Sequence, residues 1–162
     1  MTSKEHALRV LAFARKTTLA LVEDIPENKL CWQPFAGANH VLWNLGHIGT
    51  SDEWGITVFD PNAKMDEQMM KLFGSGTTPS SDAKAYPSKS DVLAYLHRSH
   101  ERLLAAVNRA SEADLATPLP PDYAGFAPDR LGLLYSLAWH EGFHTGQINA
   151  CRKALGLKPK FM

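Results

Sequence analysis

Four long stretches of this chain repeat their apolar residues at helical spacing, and almost nowhere does the sequence alternate as a half-buried strand would. A chain without a strand pattern must bury its apolar stripes helix against helix. The first stretch covers residues 3–24, with Leu8, Leu11, Leu19 and Val22 on one face and Pro26 to stop it. A turn at 27–30 leads to a second, with Asn39 expected as its N-cap and its end at Phe59. A long connection follows, with a short helix expected near 65–72. The third stretch starts at Ser88, with Asp91 three positions on, and reaches Ala110. The fourth begins at Asp129 and stops at Gly156, ahead of Lys158-Pro159. The expectation is an all-α four-helix bundle with a long crossover between its second and third helices.

Composition narrows the function classes. A length of 162 residues suits one domain spanning 1–162. Seventeen Lys+Arg balance seventeen Asp+Glu, and zero net charge argues against a nucleic-acid partner. The charge-free run 30–51 is broken by Pro34, Gly37, Asn39 and His40, so no membrane span is expected. The N-terminus has no apolar signal core, and Cys31 and Cys151 make no disulfide framework, so a cytoplasmic protein is expected.

The seven histidines are the compositional oddity. On the fourth helix Leu133, Leu137, His140, His144, Ile148, Cys151 and Leu155 share a sector about 80° wide. Side chains four apart are neighbours, so His140 and His144 can reach one metal ion. The competing reading is two core histidines satisfied by carbonyls or water. On the second helix His47 shares a stripe with Trp43, Thr50, Ser51 and Trp54 and is the candidate third ligand. His40 lies about 10 Å further along the axis and is expected at the entrance to the site. His100, among Leu96, Leu103 and Val107, reads as a core histidine, with a place near the site as the alternative. His97 and His6 receive no role.

His140-Glu141-Gly142-Phe143-His144 also fits the H-E-x-x-H zinc-protease pattern, with Glu141 as base. That reading lacks support, because no Asp, Glu or His follows His144 and the wheel sets Glu141 on the rim or exposed.

The longer string Trp139-His140-x-x-x-His144-x-Gly146-Gln147-Ile148, followed by Arg152, Leu155 and Gly156, resembles the DinB/YfiT-like superfamily. So do Asn44-Leu45-Gly46-His47-Ile48 upstream, and Ile25-Pro26 with Trp32-x-Pro34 between the first two helices. The resemblance implies a four-helix bundle holding one divalent ion, often zinc or nickel, on three histidines, here His47, His140 and His144. It also implies activities such as metal-dependent transfer of low-molecular-weight thiols and maleylpyruvate isomerisation. Relatives that join the bundle to an oxygenase domain carry H-x-x-H-type ligands.

Three neutral imidazoles leave a divalent ion its charge and an open position, where a thiol or water is acidified. The sequence therefore points to an S-transferase-like or hydrolase-like enzyme with a small-molecule substrate, against the rival of a non-catalytic, stress-associated bundle with a structural or vestigial ion. Candidates for acid or base are Glu53, His100 and Glu141; candidates for an aromatic pocket are Trp43, Trp54, Trp139 and Tyr135. A homodimer is expected, because relatives pair through helices and because Val10, Leu21, Val41, Leu45 and Ile48 lie outside single stripes.

Overall fold

The computed structural model describes residues 1–123 and 125–161. Its helices are α1 (Ser3–Val22), α2 (Val41–Phe59), α3 (Glu67–Phe73), α4 (Lys89–Arg109), α5 (Glu112–Leu115) and α6 (Arg130–Ala154). No strand occurs among the described residues. None of the helices is long and apolar enough to cross a membrane. The four long helices form the expected bundle: α6 packs between α1 and α2, and α2 packs between α6 and α4.

Local chemistry sets the ends. Thr2 and Glu5 form a reciprocal capping box on α1, and Ser88 and Asp129 cap α4 and α6 through their side-chain oxygens. At the far end of α6 the chain turns at Gly156, whose φ of 73° suits a residue without Cβ. There Leu157 N–H donates to Arg152 O and Gly156 N–H to Lys153 O, closing the last turn. The start of α2 departs from expectation. His40, not Asn39, is its N-cap, and the His40 Nδ1 accepts from Trp43 N–H at 3.1 Å. Asn39 instead donates its amide to Gln147 Oε1 on α6 at 3.0 Å.

The apolar core is divided in two. One cluster joins Leu21, Val22, Val41, Leu45, Ile48, Phe73, Leu96 and Ile148; the other joins Leu11, Ile56, Leu103, Val107, Leu133 and Leu137. Between them every long helix contributes buried polar groups: Arg15 and Thr18 from α1, Asp52 from α2, Ser99 and His100 from α4, and Glu141 and Thr145 from α6. Arg15 holds this layer together. Its guanidinium donates to Glu141 Oε1 at 2.9 Å, to Asp52 Oδ2 at 2.8 Å and to the Leu96 carbonyl at 2.9 Å. Thr18 donates to Glu141 Oε1 at 2.8 Å, and His100 donates Nδ1–H to Asp52 Oδ2 at 3.2 Å.

Two sequence expectations are corrected here. Glu141 is 2% exposed rather than at the rim, because α6 buries one face on α2 and another on α1. Leu21, Val41, Leu45 and Ile48, read as surplus apolar positions for pairing, are buried within the monomer in one cluster with Phe73, Leu96 and Ile148. Val10 remains exposed.

Replacing Arg15 by Met leaves two carboxylates buried without their cation, at a cost of about 3–5 kcal/mol. Urea unfolding followed by circular dichroism measures it. Lys160→Ala removes an ion pair to the exposed Glu23 and should change stability by no more than about 0.5 kcal/mol. Equal losses in the two variants would show that the layer is not the anchor of the bundle.

Candidate metal centre

Three histidines meet beside the polar layer. His47 from α2 and His140 and His144 from α6 present ring nitrogens that all lie within 4.8 Å of one another. His140 Nε2 is 3.1 Å from His144 Nε2. Donors bound at 2.0–2.1 Å around a tetrahedral ion stand about 3.3 Å apart, so small ring rotations suffice to grip one ion. No carboxylate or thiolate joins the group among the described residues.

The rings are oriented from behind. His47 donates Nδ1–H to the Phe73 carbonyl at 2.7 Å, which leaves its Nε2 lone pair free. His144 donates Nδ1–H to Asn44 Oδ1 at 2.7 Å. The Asn44 amide is itself fixed, because its Nδ2 donates to the carbonyls of Asn39 and His40. Carbonyl oxygens behind imidazoles are the usual means of setting tautomer and aim in metal sites. The donor set therefore fits a divalent ion, with two of three rings held in the ligating tautomer.

The Asn-Leu-Gly-His-Ile segment owes much of its composition to this arrangement. A Cβ on Gly46 would stand 2.3 Å from the Phe73 ring, so glycine alone lets the end of α3 approach α2. That approach brings the Phe73 carbonyl to His47. The next turn of the crossover adds Thr77, whose hydroxyl accepts from Trp43 Nε1–H at 2.9 Å. Trp43 in turn stacks on the His47 ring, with centroids 4.6 Å apart. The sequence carried no signal for the Phe73 carbonyl, because a main-chain acceptor has no residue type.

A cleft of about 270 Å³ opens on the His47 and His140 side, walled by Thr50, Ser51, Trp54, Met70, Ser75, Phe126 and Leu137. Trp54 thus lines it, as expected from the sequence. Trp43 backs the triad instead. Trp139 does not reach the site: it is 67% exposed and stacks on Phe143 on the α1–α6 face, where Tyr135 also lies. The stripe that carries His140 faces inward, and the preceding residue, about 100° around the helix, faces out.

The remaining titratable candidates sit elsewhere. Glu53 accepts from Arg102 Nη1 at 2.7 Å and from Asp66 N–H at 2.7 Å, away from the cleft. His100 and Glu141 belong to the Arg15 layer, which turns the Glu141 carboxylate away from the position of a protease base. His40, expected at the entrance, is fully buried at the α2 cap. His97 and His6 are exposed.

Burial acts on the histidines in one direction. It pushes His40 down from 6.5 to about 4 and lowers His47. Burial, then the neighbouring rings, push His140 down to about 4 and His144 to about 3. At neutral pH the triad is therefore uncharged and ready to ligate.

Residues 11–148 match the model of the DinB superfamily. A crystal structure of a conserved protein from Enterococcus faecalis superposes with a TM-score of 0.76 at 17% identity, covering 96% of this chain and 99% of that one. At that identity the likeness concerns the fold. No curated protein matches the chain.

The depressed histidines give stability a pH dependence with a definite sign. Unfolded rings take up protons near pH 6.5 and the folded ones near pH 3–4, so stability is full above 6.5 and falls as pH drops below it. The metal-free protein should melt roughly 5–10 °C lower at pH 5 than at pH 7. His40→Asn keeps a capping acceptor that does not titrate, and should flatten that slope. Scanning calorimetry of the two proteins across this range decides it; an unchanged slope would remove His40 from the account.

Proposed function

The chain belongs to the DinB superfamily, and from that premise we propose that it is a metal-dependent enzyme acting on a small thiol or on water at a divalent ion held by His47, His140 and His144. The observation that carries this reading is the cleft: the three donors border open space lined by side chains, where a structural site would close with a fourth protein ligand. A bound ion of this kind supplies the positive charge that favours ionisation of a thiol or water near neutral pH.

The chain's own part is positioning. Asn44 and the Phe73 carbonyl fix the rings, and Trp43 closes the back of His47. Trp54, Phe126 and Leu137 give the approach an apolar lining. Imidazole suits zinc and nickel alike, and both are candidates for the resident ion. With no carboxylate or lysine lining the cleft among the described residues, proton transfer falls to solvent or substrate. S-transfer from a thiol and hydrolysis are the two reactions this permits. The rival is a non-catalytic bundle with a structural or vestigial ion; its structural form calls for a fourth donor, which the triad lacks among the described residues.

Elemental analysis after equilibration with Zn²⁺ or Ni²⁺ and desalting should give one ion per chain. His47→Ala and His140→Ala should retain almost none. Gly46→Ala, which displaces Phe73, should lower affinity by about tenfold. Equal retention in all four proteins would sink the triad. Loaded protein inactive against both electrophile–thiol pairs and hydrolysable esters would favour the structural reading.

We propose further that two copies pair through the α1–α6 face, in a cytoplasmic homodimer. Val10, Phe13, Tyr135, Trp139 and Phe143 are exposed there around a groove that no charged residue lines among the described residues. Gly142 and Gly146 stand in mid-helix on α6 with open space above them, at a cost of about 1 kcal/mol each relative to alanine. A second backbone approaching closely would account for them. Sedimentation at micromolar concentration should show a dimer that Trp139→Glu converts to monomer; a monomeric wild type would overturn the pairing.

A further inference from the structure

The walls of the cleft restrict what can lie against the triad. No Lys, Arg, Asp or Glu lines it among the described residues. Its hydroxyls are partly committed: Thr50 Oγ1 and Ser51 Oγ both donate to the His47 carbonyl, at 2.8 and 2.9 Å, and so present acceptor lone pairs to a ligand. The rest of the lining is mostly apolar. Trp54 and Phe126 meet edge to face with ring centroids 5.4 Å apart, and Leu137 lies beside them.

Size adds a second limit. The volume of about 270 Å³ falls below the roughly 300–1,000 Å³ typical of sites for drug-sized ligands. It exceeds the roughly 150 Å³ of an apolar cavity that takes benzene. One ring and a short arm fill it. A charged body would lose its hydration there with no partner of opposite sign.

We infer that the substrate of this site is a small thiol with an uncharged aromatic or branched aliphatic body, its sulfur toward the triad and its body between Trp54, Phe126 and Leu137. This rests on the proposed function and adds to it the substrate class. The same walls offer no partner for the charges of a multiply charged peptide thiol. Trp54 and Phe126 are then the residues that set specificity.

The test titrates zinc-loaded protein, its metal content first measured, with benzyl mercaptan, its para-carboxylate analogue and glutathione in a calorimeter. Benzyl mercaptan should bind at least about tenfold more tightly than either charged thiol. Trp54→Ala and Phe126→Ala should each weaken it by about fivefold or more while zinc content stays at the wild-type value. Tighter or equal binding of the para-carboxylate, as through Lys64 or Lys71 beside Met70, would overturn the inference. So would affinity indifferent to both substitutions. If the wild type retains no zinc, the reading of the triad fails separately. Metal-free protein is then titrated with benzyl alcohol while the Trp54 indole resonance is followed, and a shift abolished by Phe126→Ala supports the cavity whereas no shift overturns it.

Discussion

One guanidinium ties four helices together. Arg15 reaches from α1 to Asp52 on α2, Glu141 on α6 and the Leu96 carbonyl on α4. The apolar clusters above and below could each form with the helices slid or rotated by a turn, since hydrophobic contact is non-directional. A planar fork with fixed donor directions admits far fewer arrangements. Burying ions is costly in itself, so the layer is better understood as fixing register than as adding stability.

That register matters to the triad. Asp52 lies just over one helical turn beyond His47, and Glu141 is the neighbour of His140. By holding these two carboxylates, Arg15 sets the spacing of α2 and α6, the two helices that carry the three histidines. The crossover then completes the site from the other side: α3 docks on α2 over Gly46, delivers the Phe73 carbonyl to His47, and leaves Met70 and Ser75 on the cleft wall. The long connection between the second and third helices is therefore part of the site's construction.

The helices were legible because their apolar residues recur with a regular period, and His47, His140 and His144 were legible because each lies among those residues. The polar layer was not. Arg15 and Asp52 drew no reading and Glu141 was expected on the rim or exposed, because a wheel that counts apolar residues alone cannot show three charges meeting in the interior. Asn39 and His40 show a subtler limit. Both can cap a helix, and the choice turned on Gln147, on a helix far along the chain, taking the Asn39 amide. Trp139 was misplaced for the opposite reason: an aromatic residue beside a ligand in sequence points about 100° away from it on a helix.

The layer also bears on charge. Arg15 is set against two carboxylates, those of Asp52 and Glu141. Three neutral imidazoles bring no charge to a divalent ion, so the ion's desolvation falls on the surrounding protein. Burial and the neighbouring His47 lower the basicity of His140, while the charge of Asp52 acts in the opposite direction on the same ring. A carboxylate close enough to be felt at His140 would offset part of a cation's burial cost without occupying a coordination position. The carboxylate that H-E-x-x-H enzymes place at the reacting centre is here held by Arg15 behind the three histidines, which border an apolar cleft on their other side.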